Sequence, residues 1–275
     1  MNKPLFLLAC LSPMFLLTAC PGGTQDVQKL VNQCAQNDLD STHMIYFGPS
    51  NNVGPGSIWT DNTNGSGYHI RFTLTDMPMP QSFLNSGNPF QCSGTNTMTL
   101  TSNADISAAI SALPLSAEAS NAFKRATSVT VSLTSASWDD VKEGPYEAYI
   151  NALAATSPVR QDIDTGKRLV MIRALRVSGF SEKLTFDTND APSLQAKYTG
   201  PLPSGTTGNV GATLSGSWDN AQNLTITSAG DFYVEGELSG YTTTGLAAAG
   251  TSPFANPGGI SIDPKARVVV DKAPS

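Results

Sequence analysis

The sequence predicts an α+β fold, mostly antiparallel β-sheet or sandwich, with short helices at about residues 103–113, 116–124 and 145–155. Three observations lead there. Apolar residues alternate with polar ones over many short segments, the period of a half-buried strand. Those segments come in blocks with no regular strand–helix–strand alternation, which disfavours a parallel sheet. Only 14% of residues are charged, and Ser, Thr, Asn and Gly take the exposed places instead, a surface common in exported β-proteins.

Taken in order, Val27, Leu30, Val31 and Cys34 fall at helical spacing and predict a short amphipathic helix. Strands are expected at 42–47, 57–60, 68–74 and 97–101, separated by turn-rich pieces such as Asp61-Asn62-Thr63-Asn64-Gly65. Asn103 is placed to cap a helix with Ile106, Ile110 and Leu113 on one face, and Pro114 ends it. Ser116 caps a second helix running to about Lys124. Val129, Val131 and Leu133 alternate through a strand at 127–134. Gly144-Pro145 opens the third helix, with Tyr146, Tyr149, Ile150 and Leu153 as its stripe. The stretch 168–180 is the longest apolar strand expected and belongs at the centre of a sheet, followed by strands at 184–187, 194–198, 210–218, 224–227, 231–241 and 267–270. No clean linker divides residues 25–275, so one domain is expected, with a subdivision near 103–126 as the alternative.

The N-terminus carries the most specific signal. Met1-Asn2-Lys3 is followed by an almost wholly apolar run from Pro4 to Leu17 and then by Thr18-Ala19-Cys20. A basic start, a short apolar core and small residues before a cut make a signal peptide of residues 1–19. That core is shorter than the roughly 20 residues a bilayer span needs. Leu17-Thr18-Ala19-Cys20 resembles the bacterial lipobox, an aliphatic residue, two small residues and cysteine. The resemblance implies cleavage after Ala19, a diacylglycerol thioether and palmitate-like chains on Cys20, and a lipidated tether at residues 20–24. The implied partner is a membrane, reached through the lipid anchor. Pro21, where Asp would mark inner-membrane retention, favours the outer membrane of a Gram-negative cell envelope.

With Cys10 removed and Cys20 lipidated, Cys34 and Cys92 remain. In an oxidising compartment, and without a Cys-x-x-Cys motif, they are expected to form a disulfide. Cleavage leaves 275 − 19 = 256 residues and a formal charge of 15 − 22 = −7. An acidic chain without clustered Lys or Arg is not expected to bind nucleic acid.

Catalytic and metal motifs are sparse, so no catalytic residue, metal or cofactor is assigned. The two histidines limit any triad or zinc site. His69 shares the polar face of its strand with Arg71 and is expected at the surface, whereas His43 sits at a core edge with Ile45 and Phe47. No Gly-x-Ser-x-Gly elbow, phosphate loop or dinucleotide fingerprint is present. Asp139 and Asp140 follow Trp138, and Ser137 with Asp140 reads as a capping pair on a helical turn, with an acid/base pair as the alternative. Asp187-Thr188-Asn189-Asp190-Ala191-Pro192 resembles the calcium-binding linker of cadherin-like repeats. It lacks that pattern's second Asn and preceding acidic ligands, so a plain turn is expected. Trp59, Trp138 and Trp218 each have Asp one or two residues on, a pairing suited to sugar or peptide but more often found in a core.

Ser-Ala-Ser-Trp138-Asp-Asp returns 80 residues later as Ser-Gly-Ser-Trp218-Asp-Asn. Turn chemistry accounts for this. A duplication of 127–180 in 208–241 is the bolder reading, and it requires both tryptophans at equivalent strand ends. These features together predict a membrane-anchored envelope lipoprotein with a non-catalytic binding or accessory structural role toward an envelope protein or glycan. An envelope hydrolase using carboxylates on glycan or peptide is the alternative.

Overall fold

A computed structural model describes residues 44–61, 67–77, 79–91, 97–165, 168–203, 213–244 and 259–267. Within them the chain is mostly antiparallel sheet with five α-helices, the α+β class that the sequence predicts. The strands begin with β1 (Met44–Ser50), β2 (Ile58–Asp61), β3 (Tyr68–Phe72), β4 (Leu84–Ser86), β5 (Phe90–Gln91) and β6 (Thr97–Leu100). Helices α1 (Asn103–Ala112) and α2 (Ala117–Phe123) follow, then β7 (Ser128–Ser132), β8 (Ser135–Val141), α3 (Glu143–Ala152) and α4 (Pro158–Thr165). The chain continues with β9 (Leu169–Ser178), β10 (Ser181–Thr185), α5 (Ala191–Lys197), β11 (Gly200–Pro201), β12 (Leu214–Trp218), β13 (Asn223–Ser228), β14 (Phe232–Thr244) and β15 (Gly259–Arg267).

Two sheets result. In the larger one β14 and β9 form the spine. β1 and β15 share the far edge of β14, while β2 and β8 share the far edge of β9. Outside these, β3 pairs β2, and β4 and β5 pair β8. The smaller sheet runs β11-β12-β13-β10-β7-β6. As expected, β9 is central, but Gly179 stops it short of Phe180, and β14, at 13 residues, is longer.

One ribbon joins the sheets. β7 pairs β10 as far as Ser132 opposite Ser181, and β8 pairs β9 from Ser135 opposite Ser178. The same two-stranded ribbon therefore leaves one sheet and enters the other, bending at residues 133–134 and 179–180. Gly179 sits at φ +64°, and a Cβ there would lie 2.2 Å from Thr134 Oγ1, so the bend requires glycine. The Thr134 N–H donates to the Ser178 carbonyl at 3.1 Å and holds the corner.

Apolar side chains gather in three clusters. The largest joins Val129, Val131, Leu184, Leu224 and Ile226 of the small sheet to Leu175 and Val177 of β9, with Ile106, Ile110 and Phe123 from α1 and α2. A second lies at α3 and α4, where Tyr146, Ile150, Val159 and Ile163 meet Ile58 and Val170. The third holds Ile45, Trp59, Met171, Ala174 and Leu238. Neighbours along β9 thus divide between clusters, because strand residues face opposite ways in turn.

Several expectations shift. The cap of α1 is Ser102, whose Oγ accepts from the Asp105 N–H at 3.1 Å, and Asn103 is already helical. Ser116 caps α2 as read, accepting from the Ala119 N–H at 3.2 Å. α3 starts at Glu143 and places Gly144-Pro145 in its first turn. Residues 194–198, expected as a strand, fall largely in α5, because Ala191, Leu194 and Tyr198 are buried at helical spacing while Ala196 is exposed. Among the described residues the last strand is Gly259–Arg267, and the strand expected at 267–270 lies, apart from Arg267, outside them. Trp138 lies in mid-strand in the large sheet, whereas Trp218 ends a strand of the small one. The duplication fails on that placement, and the turn reading holds for Trp218 alone, since β8 runs extended through Trp138 and both aspartates after it.

Candidate functional site: an acidic seam between the sheets

Strand register brings Tyr46 of β1 directly opposite Glu235 of β14, which in turn stands opposite Leu175 of β9. Residues directly opposite share a face of the sheet, so Tyr46 and Glu235 look the same way as Leu175, into the cluster between the sheets. From the other side, Glu182 of β10 is paired with both Val131 and Ile226, which belong to the same cluster. Glu182 lies two residues past the ribbon's bend, which turns it back over the large sheet.

Burial is nearly complete, at 1% exposure for Glu182 and 0% for Glu235. Among the described residues, Oε2 of Glu182, both carboxyl oxygens of Glu235 and the Tyr46 hydroxyl are buried without a hydrogen-bond partner. A buried polar group without a partner costs on the order of 1–3 kcal/mol. Removal from water disfavours the charged form and lifts each carboxyl to about 8. The Tyr46 hydroxyl is raised by burial first, and then by its electrostatic interactions with Glu182 and Glu235. At neutral pH both acids therefore hold their protons.

The next rung is charged. Met44, Glu237, Arg173 and Asp140 stand in line across β1, β14, β9 and β8. Arg173 Nε lies 3.1 Å from Asp140 Oδ1, and its guanidinium lies 4.5 Å from the centre of the Trp138 ring. Burial raises the Asp140 carboxyl, with Arg173 opposing.

Asp139 points the opposite way. Its Oδ2 accepts from the Tyr233 hydroxyl at 2.7 Å and lies 3.1 Å from Arg176 Nε, while Arg176 Nη1 reaches Asp231 at 3.2 Å. Asp139 and Asp140 therefore sit on opposite faces of a strand and do not share a site. Nor does Ser137 with Asp140 cap a helical turn, since β8 is extended through both.

Of the other sequence-predicted residues, Cys20, Cys34, Cys92 and His43 lie outside the described residues. His69 is exposed beside Arg71, as read. Trp59 is buried and donates to Ser57 Oγ at 2.9 Å; Trp138 is buried; Trp218 is half-buried, donating to the Tyr198 carbonyl at 3.1 Å. The 187–192 segment is a turn leading into α5, with Asp190 paired to Arg125 at 2.7 Å. Among the described residues no group of three His, Cys, Asp or Glu could hold a metal ion, and no helix is long and apolar enough to cross a membrane.

Sequence reasoning passed over Glu182, Glu235 and Glu237. For Glu235 and Glu237 the one signal was their place inside an otherwise strand-like Phe232-Tyr-Val-Glu-Gly-Glu-Leu238; Glu182 gave none. Chemically the seam holds protons in a dry interior and presents no nucleophile.

The described residues form two antiparallel sheets with helices, an α+β fold. No family model and no curated protein matches the chain. Among solved structures it is similar to a bacterial gasdermin from Bradyrhizobium tropiciagri, at 12% identity and a TM-score of 0.43 over 78% of this chain and 86% of that one.

Proposed function

We propose that this chain is a lipid-anchored protein of the bacterial cell envelope, held at the outer membrane of a Gram-negative cell, with a non-catalytic binding or accessory structural role. The observation that carries this reading is Leu17-Thr18-Ala19-Cys20 at the end of a short apolar signal. Two or more acyl chains on Cys20 suffice for stable anchoring, each buried methylene contributing about 0.8 kcal/mol.

The non-catalytic role draws support from the ionisable groups. Asp139 and Asp140, the carboxylates best placed in sequence for hydrolysis, face apart, each beside its own arginine. The partner is then another envelope component, protein or glycan. Cys20→Ser tests the anchor. The variant is expected to leave the membrane fraction, and globomycin, which blocks lipoprotein signal cleavage, is expected to accumulate the precursor of the parent protein. Unchanged membrane association of Cys20→Ser defeats the reading.

A further inference from the structure

The corner and the seam form one device. A ribbon bent at residues 133–134 and 179–180 carries the small sheet over the large one. Just inside that bend, the two sheets meet through Glu182 on one side and Tyr46 with Glu235 on the other. We propose that this seam is a proton-dependent latch: with the glutamates protonated the sheets stay closed at the corner, and their ionisation in alkaline medium loosens the seam and admits water there.

The titratable or charged groups around the seam, among the described residues, are few. Tyr46 comes from β1, Glu235 and Glu237 from β14, and Glu182 from β10; Arg173 and Asp140 stand one rung away on β9 and β8. The helices packed into the same cluster contribute Ile106, Ile110, Phe123, Ala191 and Leu194, which are apolar, and Tyr198 borders α5. Arg173 is engaged by Asp140 and Trp138. Ionisation of Glu182 and Glu235 thus places negative charge in an interior whose lining is mainly aliphatic, and water is the remaining source of solvation.

The sign follows from the buried carboxyls at about 8 against an ordinary 4.5. The closed seam retains protons that an opened seam releases, so closure is favoured in acid and weakens as pH rises through that interval. The Tyr146 cluster lies away from the seam, and the Trp59 cluster covers the opposite face of β1, β9 and β14, turned from the glutamates, so the segments that complete these two clusters, 143–152 and 58–61, stay closed.

Hydrogen exchange followed by mass spectrometry on the full-length protein tests this, with rates corrected for the intrinsic pH dependence. Between about pH 6 and about pH 9, protection of residues 44–50, 181–185 and 232–238 is expected to fall by roughly tenfold or more. Residues 58–61 and 143–152 are expected to keep theirs. The Glu182→Gln, Glu235→Gln double variant is expected to show a flat profile. Constant seam protection, equal loss in all segments, or the same loss in the double variant overturns the latch. Carbon-detected titration of glutamate carboxyls in the parent protein decides the matter if the variant does not fold. Two carboxyls titrating near 8 support the latch, and ordinary titration of all of them defeats it.

Discussion

Replacing Asp162 by asparagine should test how α4 is held to the large sheet. Arg168 donates to Asp162 from Nε at 2.6 Å and from Nη2 at 2.9 Å, a two-pronged grip, and Arg71 adds a bond from Nη2 at 2.7 Å and a longer one from Nε at 3.4 Å. The Asp162 and Arg168 side chains are only 12% and 15% exposed, whereas Arg71 is 46% exposed. Bonds to charged groups away from water contribute about 1.5–3 kcal/mol each, and an exposed pair at most about 1 kcal/mol. Asparagine keeps the shape but loses the charge and one acceptor, so a loss of about 2–4 kcal/mol is expected at neutral pH. Hydrogen bonds from Arg168, ahead of burial that opposes them, hold the Asp162 carboxyl well below the usual range. Its stabilisation is therefore complete above the ordinary carboxyl range and is lost as pH falls toward the depressed native value. Urea denaturation followed by circular dichroism at about pH 7 and about pH 3 should show the gap between parent and variant shrinking in acid. A double-mutant cycle should also give Asp162 stronger coupling to Arg168 than to Arg71. A gap below about 0.5 kcal/mol at neutral pH, or stronger coupling to Arg71, would refute the burial argument.

Two further changes probe the backbone and the covalent frame. A Cβ at Gly236 would lie 2.6 Å from the Arg173 carbonyl oxygen and 2.7 Å from Met171 Sδ, so Gly236→Ala should cost about 1–3 kcal/mol. Gly144→Ala, where a Cβ meets nothing within 4 Å, serves as the control and should gain up to about 1 kcal/mol in α3; equal urea midpoints for the two variants would contradict the packing. A disulfide between Cys34 and Cys92, expected from the sequence, should make the protein run faster on non-reducing gels, and reducing it should cost up to roughly 4 kcal/mol by the loop-entropy argument. Identical migration with and without reductant would rule the bridge out.

The sequence was most legible where one local force acted alone. Val129 and Val131 face the core from a strand with a solvated back, so alternation located β7. Ser116 was readable as a cap because a serine hydroxyl before a helical run can take an orphan N–H. Two kinds of segment were not legible. α4 offers only Val159 and Ile163 as buried apolar residues among Arg, Gln and Asp, too narrow a stripe to stand out. In α5, Leu194, Ala196 and Tyr198 alternate as well as a strand would, and only burial shows that the Leu194–Tyr198 spacing is the one that packs. The Trp138 and Trp218 echo misled for a related reason, since a small polar step followed by Trp and Asp suits the middle of β8 and the end of β12 alike.

The acidic seam was hidden by a different mechanism. Pattern reading assigns glutamate to the solvated face of a strand, and that works when one face is wet. β14 is buried on both faces from Val234 to Gly240, so its alternation separates one dry cluster from another rather than core from water. The register shift between Tyr233 and Glu235 breaks the simple count as well, because Val234 is the extra residue between two paired positions. A glutamate in such a strand gives no local sign of being inside. Long-range pairing decides it, with Tyr46 arriving 189 positions away in sequence and Glu182 returning over the bend. A chain selected for stability alone would be expected to fill these places with aliphatic side chains, since an unpartnered buried acid costs free energy that leucine or methionine would not. Two such acids facing one tyrosine from two sheets joined by a glycine corner are better explained by a joint that responds to protons than by packing.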